Sequence, residues 1–346
     1  MRNRTVITIT GCFLLSVLFV LGLFIYSNPN YTRKNGFSRS FSAKTVKVIN
    51  SFNLLHDKYY IAGLSKEHIH LGNYENPGVI LRLNLNLPIE DTLQLKNINQ
   101  FKNKWPLFRV AVDSPYVYLG EGVTPNLLRC KLPDLNLKTF IKSSIYFTDY
   151  LPISLNSFVM KTYNPKIGQN VLFKENIDTS SVRFSFNALE KQIDGIFCTS
   201  GRLSYNRNSK KIIYVYHYRN QFICMDTNLN VLYKKNTIDT NTYAKIKVAK
   251  IGNQTTVSSS SVVINKYSSM DEKYFFVNSN LISDNEDKKL FSNSSVIDVY
   301  SIEDGQYNFS FYLPNFKNRG LTDLKIQDNK IIVLYKEYLI IYSISM

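Results

Sequence analysis

The sequence predicts an all-β protein, a six-bladed β-propeller carried behind an N-terminal transmembrane helix. Three observations lead there. Residues 6–25 form one uninterrupted apolar run that nothing later in the chain repeats. The chain of 346 residues holds 24 Tyr and 22 Phe and is rich in β-branched side chains, a composition that favours strands over helices. After the apolar run, groups of four short alternating strands recur about every 40 residues, which is the unit of a propeller blade.

The apolar run comes first. About 20 residues at 1.5 Å each span the roughly 30 Å hydrocarbon core of a bilayer. Thr8, Thr10 and Ser16 are tolerable within it because their hydroxyls can bond back to helix carbonyls. Arg2 and Arg4 precede the run, and Arg33, Lys34 and Arg39 follow it, so the basic flanks nearly balance. A short tail without a folded domain stays cytoplasmic, which puts the bulk of the chain on the exported side. The competing reading is a cleaved signal peptide. The exit Ile25-Tyr26-Ser27 lacks the small residue a signal peptidase needs at −3, so an uncleaved anchor is expected. Residues 1–26 are then tail and anchor. Residues 27–42 read as a polar tether broken by Asn28-Pro29-Asn30 and Lys34-Asn35-Gly36. The propeller occupies 43–346.

The clearest blade is the fourth. Gly201-Arg-Leu-Ser-Tyr205 is a short strand ended by the polar turn Asn206-Arg-Asn-Ser209. Residues 210–218 alternate strongly, Arg219-Asn220 is a two-residue hairpin break, 221–226 is a third strand and 231–233 opens a fourth. The same cadence places blade 1 at 59–64, 68–74, 79–87 and 92–96, and blade 2 at 108–113, 116–120, 127–132 and 137–142. Blade 3 is looser, at 145–149, 157–163, 169–174 and 181–186. Blade 5 holds 262–267, 273–278, 296–302 and 307–313, with the hairpin signal Glu303-Asp304-Gly305 before its last strand. The sixth has only three strands, at 321–326, 330–335 and 338–343. The unassigned strand at 45–52 is expected to complete it and close the ring, which removes an open sheet edge. Seven blades, with 242–251 contributing, and two packed sandwiches are the alternatives.

Composition bounds the partners. The formal net charge is +16. An exported basic domain suits an anionic lipid surface or an acidic polymer, and nucleic acid is not expected as a partner. Cys130, Cys198 and Cys224 form neither a disulfide framework nor a zinc spacing and read as buried free thiols, although Cys198 and Cys224 would be able to pair if their strands abut.

The segments Asp194-Gly-Ile-Phe-Cys-Thr-Ser-Gly201, Tyr214-Val-Tyr-His-Tyr-Arg-Asn-Gln-Phe-Ile-Cys-Met-Asp-Thr-Asn-Leu-Asn230, Ile238-Asp-Thr240, Lys245-Ile-Lys-Val-Ala249 and Ser295-Val-Ile-Asp-Val-Tyr300 stand out, with Phe309-Ser-Phe-Tyr-Leu313, Tyr60-Ile-Ala-Gly63 and His70-Leu-Gly-Asn73. Together they resemble a group of uncharacterised exported propeller-like proteins of Bacteroidetes-type bacteria. The resemblance covers most of the exported region. It implies the propeller fold and a bacterial habitat in which the exported side is the periplasm, so the apolar run would be a single pass through the inner membrane. It brings no catalytic residues with it.

Chemistry-bearing residues are few. His68 and His70 share a strand face without an acid or thiol at ligand spacing, and read as packed or solvated strand residues. Glu121, Asp149 and Asp194 fall at strand ends. They would be needed by a lactonase- or esterase-like hydrolase with a central divalent cation, but turn and cap chemistry accounts for them. Trp105, the sole tryptophan, lies in a connection between blades and offers either a buried plug or an aromatic floor to a mouth. Arg219 leads through a hairpin and offers an anion contact. Glu121, Asp194, Arg219 and Trp105 are therefore the candidate ligand-binding residues, with no catalytic residue, metal ligand or cofactor expected outside the hydrolase alternative. The reading is a membrane-anchored binding module for a protein, peptide or glycan of the envelope. The alternatives are that hydrolase and a structural subunit of an envelope complex.

Overall fold

The computed structural model describes residues 2–26, 34–42, 46–98, 108–142, 144–252, 254–257 and 261–344. It forms two units, Met1–Asn35 and Gly36–Met346. The first contains helix α1 (Arg2–Tyr26), whose 18-residue window Val6–Leu23 has a mean hydropathy of 2.5 and holds no charged residue. The hydroxyls of Thr8, Thr10 and Ser16 donate to the carbonyls of Arg4, Val6 and Phe13 at 2.9, 2.9 and 2.8 Å, so the three polar side chains are satisfied inside the helix.

The second unit is a six-bladed β-propeller. Strand β1 (Val46–Asn53) comes first in the chain but joins the last blade. Blade 1 is β2 (Tyr59–Leu64), β3 (His68–Asn73), β4 (Val79–Asn84) and β5 (Glu90–Gln94). Blade 2 is β6 (Arg109–Asp113), β7 (Tyr116–Glu121), β8 (Asn126–Lys131) and β9 (Lys138–Lys142). Blade 3 is β10 (Asp149–Ser154), β11 (Ser157–Asn164), β12 (Gln169–Asn176) and β13 (Ser181–Ser185). Blade 4 is β14 (Gly201–Asn206), β15 (Lys211–Tyr216), β16 (Gln221–Asp226) and β17 (Val231–Asn236). A separate hairpin follows, β18 (Val248–Ile251) and β19 (Gln254–Val257). Blade 5 is β20 (Asn265–Met270), β21 (Tyr274–Ser279), β22 (Ser294–Ser301) and β23 (Tyr307–Pro314), with the short helix α2 (Lys288–Ser292) between β21 and β22. Blade 6 is β24 (Asp323–Gln327), β25 (Lys330–Tyr335) and β26 (Tyr338–Ile344), with β1 antiparallel to β26 as its outer strand. The ring therefore closes as the lone early strand predicts. The stretch near 242–251 builds a two-stranded hairpin instead of a seventh blade.

The apolar side chains explain why blades stack. Alternate residues of each sheet point to opposite neighbours. In β25, Ile331, Val333 and Tyr335 join the cluster shared with blade 5, while Ile332 and Leu334 join the one shared with blade 1. Four further clusters fill the contacts 1–2, 2–3, 3–4 and 4–5. Every blade–blade contact thus has its own core, and the ring axis is left to polar side chains of the inner strands.

His70 lies across the pleat from Ile69 and Leu71, which pack towards blade 6, so it faces blade 2 and is 1% exposed. Burial, then the like charges of His68 and Arg82, lower its pKa from 6.5 to about 4. The folded protein therefore holds His70 neutral where the unfolded chain would begin to protonate it. The stabilisation is complete above pH 6.5 and is lost as the pH falls from 6.5 to about 4, a change of about 3 kcal/mol. Urea unfolding of His70→Gln at a series of pH values should show a profile flatter by about this amount over that interval.

Four local readings differ from the structure. The inner strand of blade 3 is Asp149–Ser154, not 145–149: Pro152 reads as a breaker, yet β10 is an inner edge strand with a register shift between Pro152 and Ser154, where a missing N–H is tolerated. Strand β15 stops at Tyr216, because the His217 N–H is taken by the Ser200 carbonyl and its own carbonyl accepts from Ile264 and Asn265. The β15–β16 connection is consequently longer than the two residues Arg219-Asn220. The helix α2 has no counterpart in the sequence reading; Asp287 caps it by accepting from the Leu290 N–H at 2.8 Å. Finally, residues 36–42 are not a free tether. Ser42 N–H donates to Ser310 O, Ser310 N–H donates to Ser40 O, and the Phe41 ring stacks on Tyr312 at 4.6 Å. Arg39 is wholly buried there, with Nε and Nη2 on the two carboxylate oxygens of Asp298 at 2.7 and 3.0 Å and Nη1 on Leu281 O and Glu286.

Candidate functional site

Short inner strands put one face into the packed sheets and the other into the ring. In β6, Val110 and Val112 are buried in the blade 1–2 core while Arg109, Ala111 and Asp113 alternate with them; in β24, Leu324 and Ile326 are buried and Asp323, Lys325 and Gln327 alternate. The six inner strands enclose a cavity of about 870 Å³ along the ring axis. A second cavity of about 760 Å³ continues it at the face that carries the first-to-second strand turns. Leu64, Asp113, Tyr205, Arg207, Met270, Ile326 and Gln327 line both, and the ion pair of Arg207 with Asp113 joins blades 4 and 2 at that junction.

The opposite, upper face carries the loops between second and third strands. Beneath it, Arg202 of blade 4 reaches Asp323 of blade 6, Nη2 to Oδ1 at 2.8 Å. Asp323 also accepts from the N–H groups of Ile61 at 3.0 Å and Leu324 at 2.9 Å, so one carboxylate ties blades 4, 6 and 1 together. Burial alone would pull the Arg202 pKa down, but Asp323 and then Asp149 outweigh it and the pKa is raised. Lys325 is two residues from Asp323 and on the same strand face. Burial, followed by the charge of Arg202, lowers its pKa, with Asp323 and Asp149 opposing the shift. His217, in the upper loop of blade 4, donates its Nδ1–H to Asn265 O at 2.7 Å and is lowered chiefly by burial, so the ring is neutral at pH 7. Arg109 lies over the Tyr74 ring at 4.7 Å and Arg202 over Tyr267 at 5.1 Å.

The sequence-selected residues fall out differently. Glu121, Asp194 and Arg219 all lie in upper-face connections, as expected of a shared mouth, but they do not converge on one cavity. Glu121 lines the cavity wall, yet its carboxylate is engaged by the N–H groups of Val123 and Thr124 at 2.6 and 2.8 Å and by the Thr124 hydroxyl. Its turn sits hard against blade 3: a Cβ on Gly122 would stand 1.7 Å from Phe147 O. Asp194 folds its own loop, accepting from Ile196, Phe197 and Cys198 N–H at 2.7, 2.5 and 3.3 Å. Arg219 is 1% exposed, stacked on Tyr216 at 3.7 Å with Nη1 on Glu190 O at 3.0 Å. A solvated turn arginine that can be truncated without touching the fold is therefore not what stands at 219. Trp105 lies outside the described residues. Cys130, Cys198 and Cys224 are buried free thiols, with no disulfide between Cys198 and Cys224. Among the described residues no three His, Cys, Asp or Glu side chains come together in a metal-holding group.

Arg202, Lys325, Asp323 and His217 escaped selection. One signal is readable: the polar–apolar alternation of Asp323-Leu-Lys-Ile-Gln327, which marks a strand with one polar face. Its pairing with Arg202, 121 residues away, is not.

No protein-family model matches the chain, and no curated protein resembles it in sequence. Solved structures resemble it in fold. A DUF4221-family protein from Bacteroides vulgatus superposes with a TM-score of 0.52 at 12% identity, over 87% of this chain and 98% of that one. A structural-genomics protein of unknown function from Bacteroides thetaiotaomicron gives 0.54 at 10%, over 88% and 76%. A chain of a mitotic checkpoint complex gives 0.50 at 10%, over 90% and 99%. At such identities the likeness is one of architecture alone, and a fold does not by itself fix a function.

Proposed function

We propose that the protein is a membrane-anchored binding module of the bacterial envelope. Helix α1 crosses the inner membrane, and the propeller on the periplasmic side holds a protein, peptide or glycan partner at the upper mouth of its channel. The placement rests on the uncharged apolar span and on the Bacteroides propellers that share the fold. One observation carries the binding reading: Lys325, Asp149 and the open edge of Arg202 line the channel without holding the fold together. Their backbones are paired within β24 and β10, but the side chains of Lys325 and Asp149 make no hydrogen bond or ion pair among the described residues. Both are half-exposed and line the cavity, and ionisable side chains that face a cavity without a partner are a mark of a functional site.

The test is affinity purification of the detergent-extracted full chain beside its Lys325→Glu variant. The expected result is a partner recovered at least tenfold less with the variant while both proteins unfold at the same temperature. Equal recovery would overturn the assignment of the channel mouth. Intact-mass measurement of the same preparation should include residues 6–25; a mature chain starting near Asn28 would contradict the anchor.

A further inference from the structure

The uncommitted groups of the upper channel divide by chemistry. Two are donors. Lys325 offers its ammonium, and Arg202 spends Nη2 on Asp323 but keeps Nε and Nη1. Two are acceptors. Asp149 offers its carboxylate. At His217 the tautomer is fixed, because the Asn265 carbonyl 2.7 Å from Nδ1 can only accept; Nδ1 carries the proton and Nε2 keeps its lone pair. The other acids of the cavity wall are occupied, Glu121 by its own turn and Asp113 by Arg207.

Asp149 and Lys325 line the same cavity and act on each other's charge, yet they do not come within the 4.0 Å of an ion pair. Lys325 and Asp149 thus share the lumen without touching. A ligand of single sign would relieve one of them and be repelled by the other. A ligand carrying both signs relieves both.

We infer that the upper channel binds a small zwitterion, an α-amino acid or short peptide with free termini, its ammonium against Asp149 and His217 Nε2 and its carboxylate against Lys325 and Arg202. The inference rests on the channel being the binding site and names the chemistry it selects. A cavity of about 870 Å³ is within the range of small-ligand pockets.

The experiment is a thermal-shift and calorimetric screen of the detergent-solubilised full chain against the free L-amino acids and dialanine, with the N-acetyl and C-terminal amide derivatives of every hit. The expected result is saturable binding by at least one zwitterion and at least tenfold weaker binding by both of its capped forms. Lys325→Met and Asp149→Asn should each weaken that hit at least tenfold. If either variant fails to fold, the capped-ligand comparison on the unaltered protein decides alone. No binding by any zwitterion, or capped forms that bind as well as their parent, would overturn the inference. Partner recovery lost in Lys325→Glu without any zwitterion binding would remove this inference and leave the binding-module reading standing; equal recovery together with no zwitterion binding would remove both.

Discussion

Arg39→Ala lowers the stability of the propeller by about 3–5 kcal/mol, or roughly 10 °C in melting temperature for a domain of this size. Arg39 and Glu286 side chains are fully buried, and Asp298 is exposed by only 2%. Burial taken alone would lower the Arg39 pKa, but Asp298 and then Glu286 reverse this and raise it, so the guanidinium is charged at every accessible pH. Its removal leaves two carboxylates without their cation, and the Ser310 hydroxyl at 2.5 Å from Asp298 cannot replace a guanidinium. Breaking a buried pair from one side costs far more than the pair itself contributes, because the orphaned charge stays desolvated. Arg39→Lys should recover only part of the loss, since an ammonium cannot present two parallel N–H groups to Asp298 while reaching Glu286 and the Leu281 carbonyl. Differential scanning calorimetry of the three proteins checks the order. Equal melting temperatures for Arg39→Ala and the unaltered chain would contradict it.

A chain that starts at Leu54 should fail to give a folded monomer, whereas one that starts at Gly36 should fold. Strand β1 pairs with β26 from Val46↔Ile344 to Asn53↔Tyr338. Removing it leaves the backbone groups of β26 unpaired along an apolar edge, and it strips Phe52 from the core between blades 6 and 1. A chain that starts at Ala43 measures the docking of residues 36–42 as a whole, the Arg39 cluster and the Phe41–Tyr312 stack included, because it keeps β1. Light scattering and thermal unfolding should rank the three as Gly36, Ala43, Leu54, from most to least stable. A monomeric Leu54 chain that melts with the Gly36 chain would show that the ring does not depend on this closure.

How much of this could be read beforehand follows from the range of the interactions. Alternation and turn residues are local, so the blades were legible: Glu303-Asp304-Gly305 does turn β22 into β23, with Gly305 at φ 72° and its N–H on Ser301 O. The lone early strand also gave the closure, since only one sheet lacked a member. The docking of 36–42 was illegible because Arg39 finds Asp298 at 259 residues' distance, and a lone Arg among serines reads as solvated. The site was half legible for the same reason. Loop positions are readable from turn residues, but loop acids such as Asp194 serve their own turns. Lys325, Asp149 and Arg202 sit on inner strands, and which face of an inner strand lines the channel depends on the ring around it.

The most direct test of the channel as the functional site is the reactivity of Lys325 towards acetic anhydride, read by mass spectrometry. The reaction is run in parallel on intact envelopes of the source cell and on the purified, dialysed protein at pH 7.5. Its ammonium carries a lowered pKa and faces the lumen, so it should label readily once the channel is empty. The account predicts Lys325 protected at least fivefold in the envelope relative to the purified protein, while exposed lysines such as Lys58 react equally in both. Equal labelling of Lys325 in the two settings would contradict it.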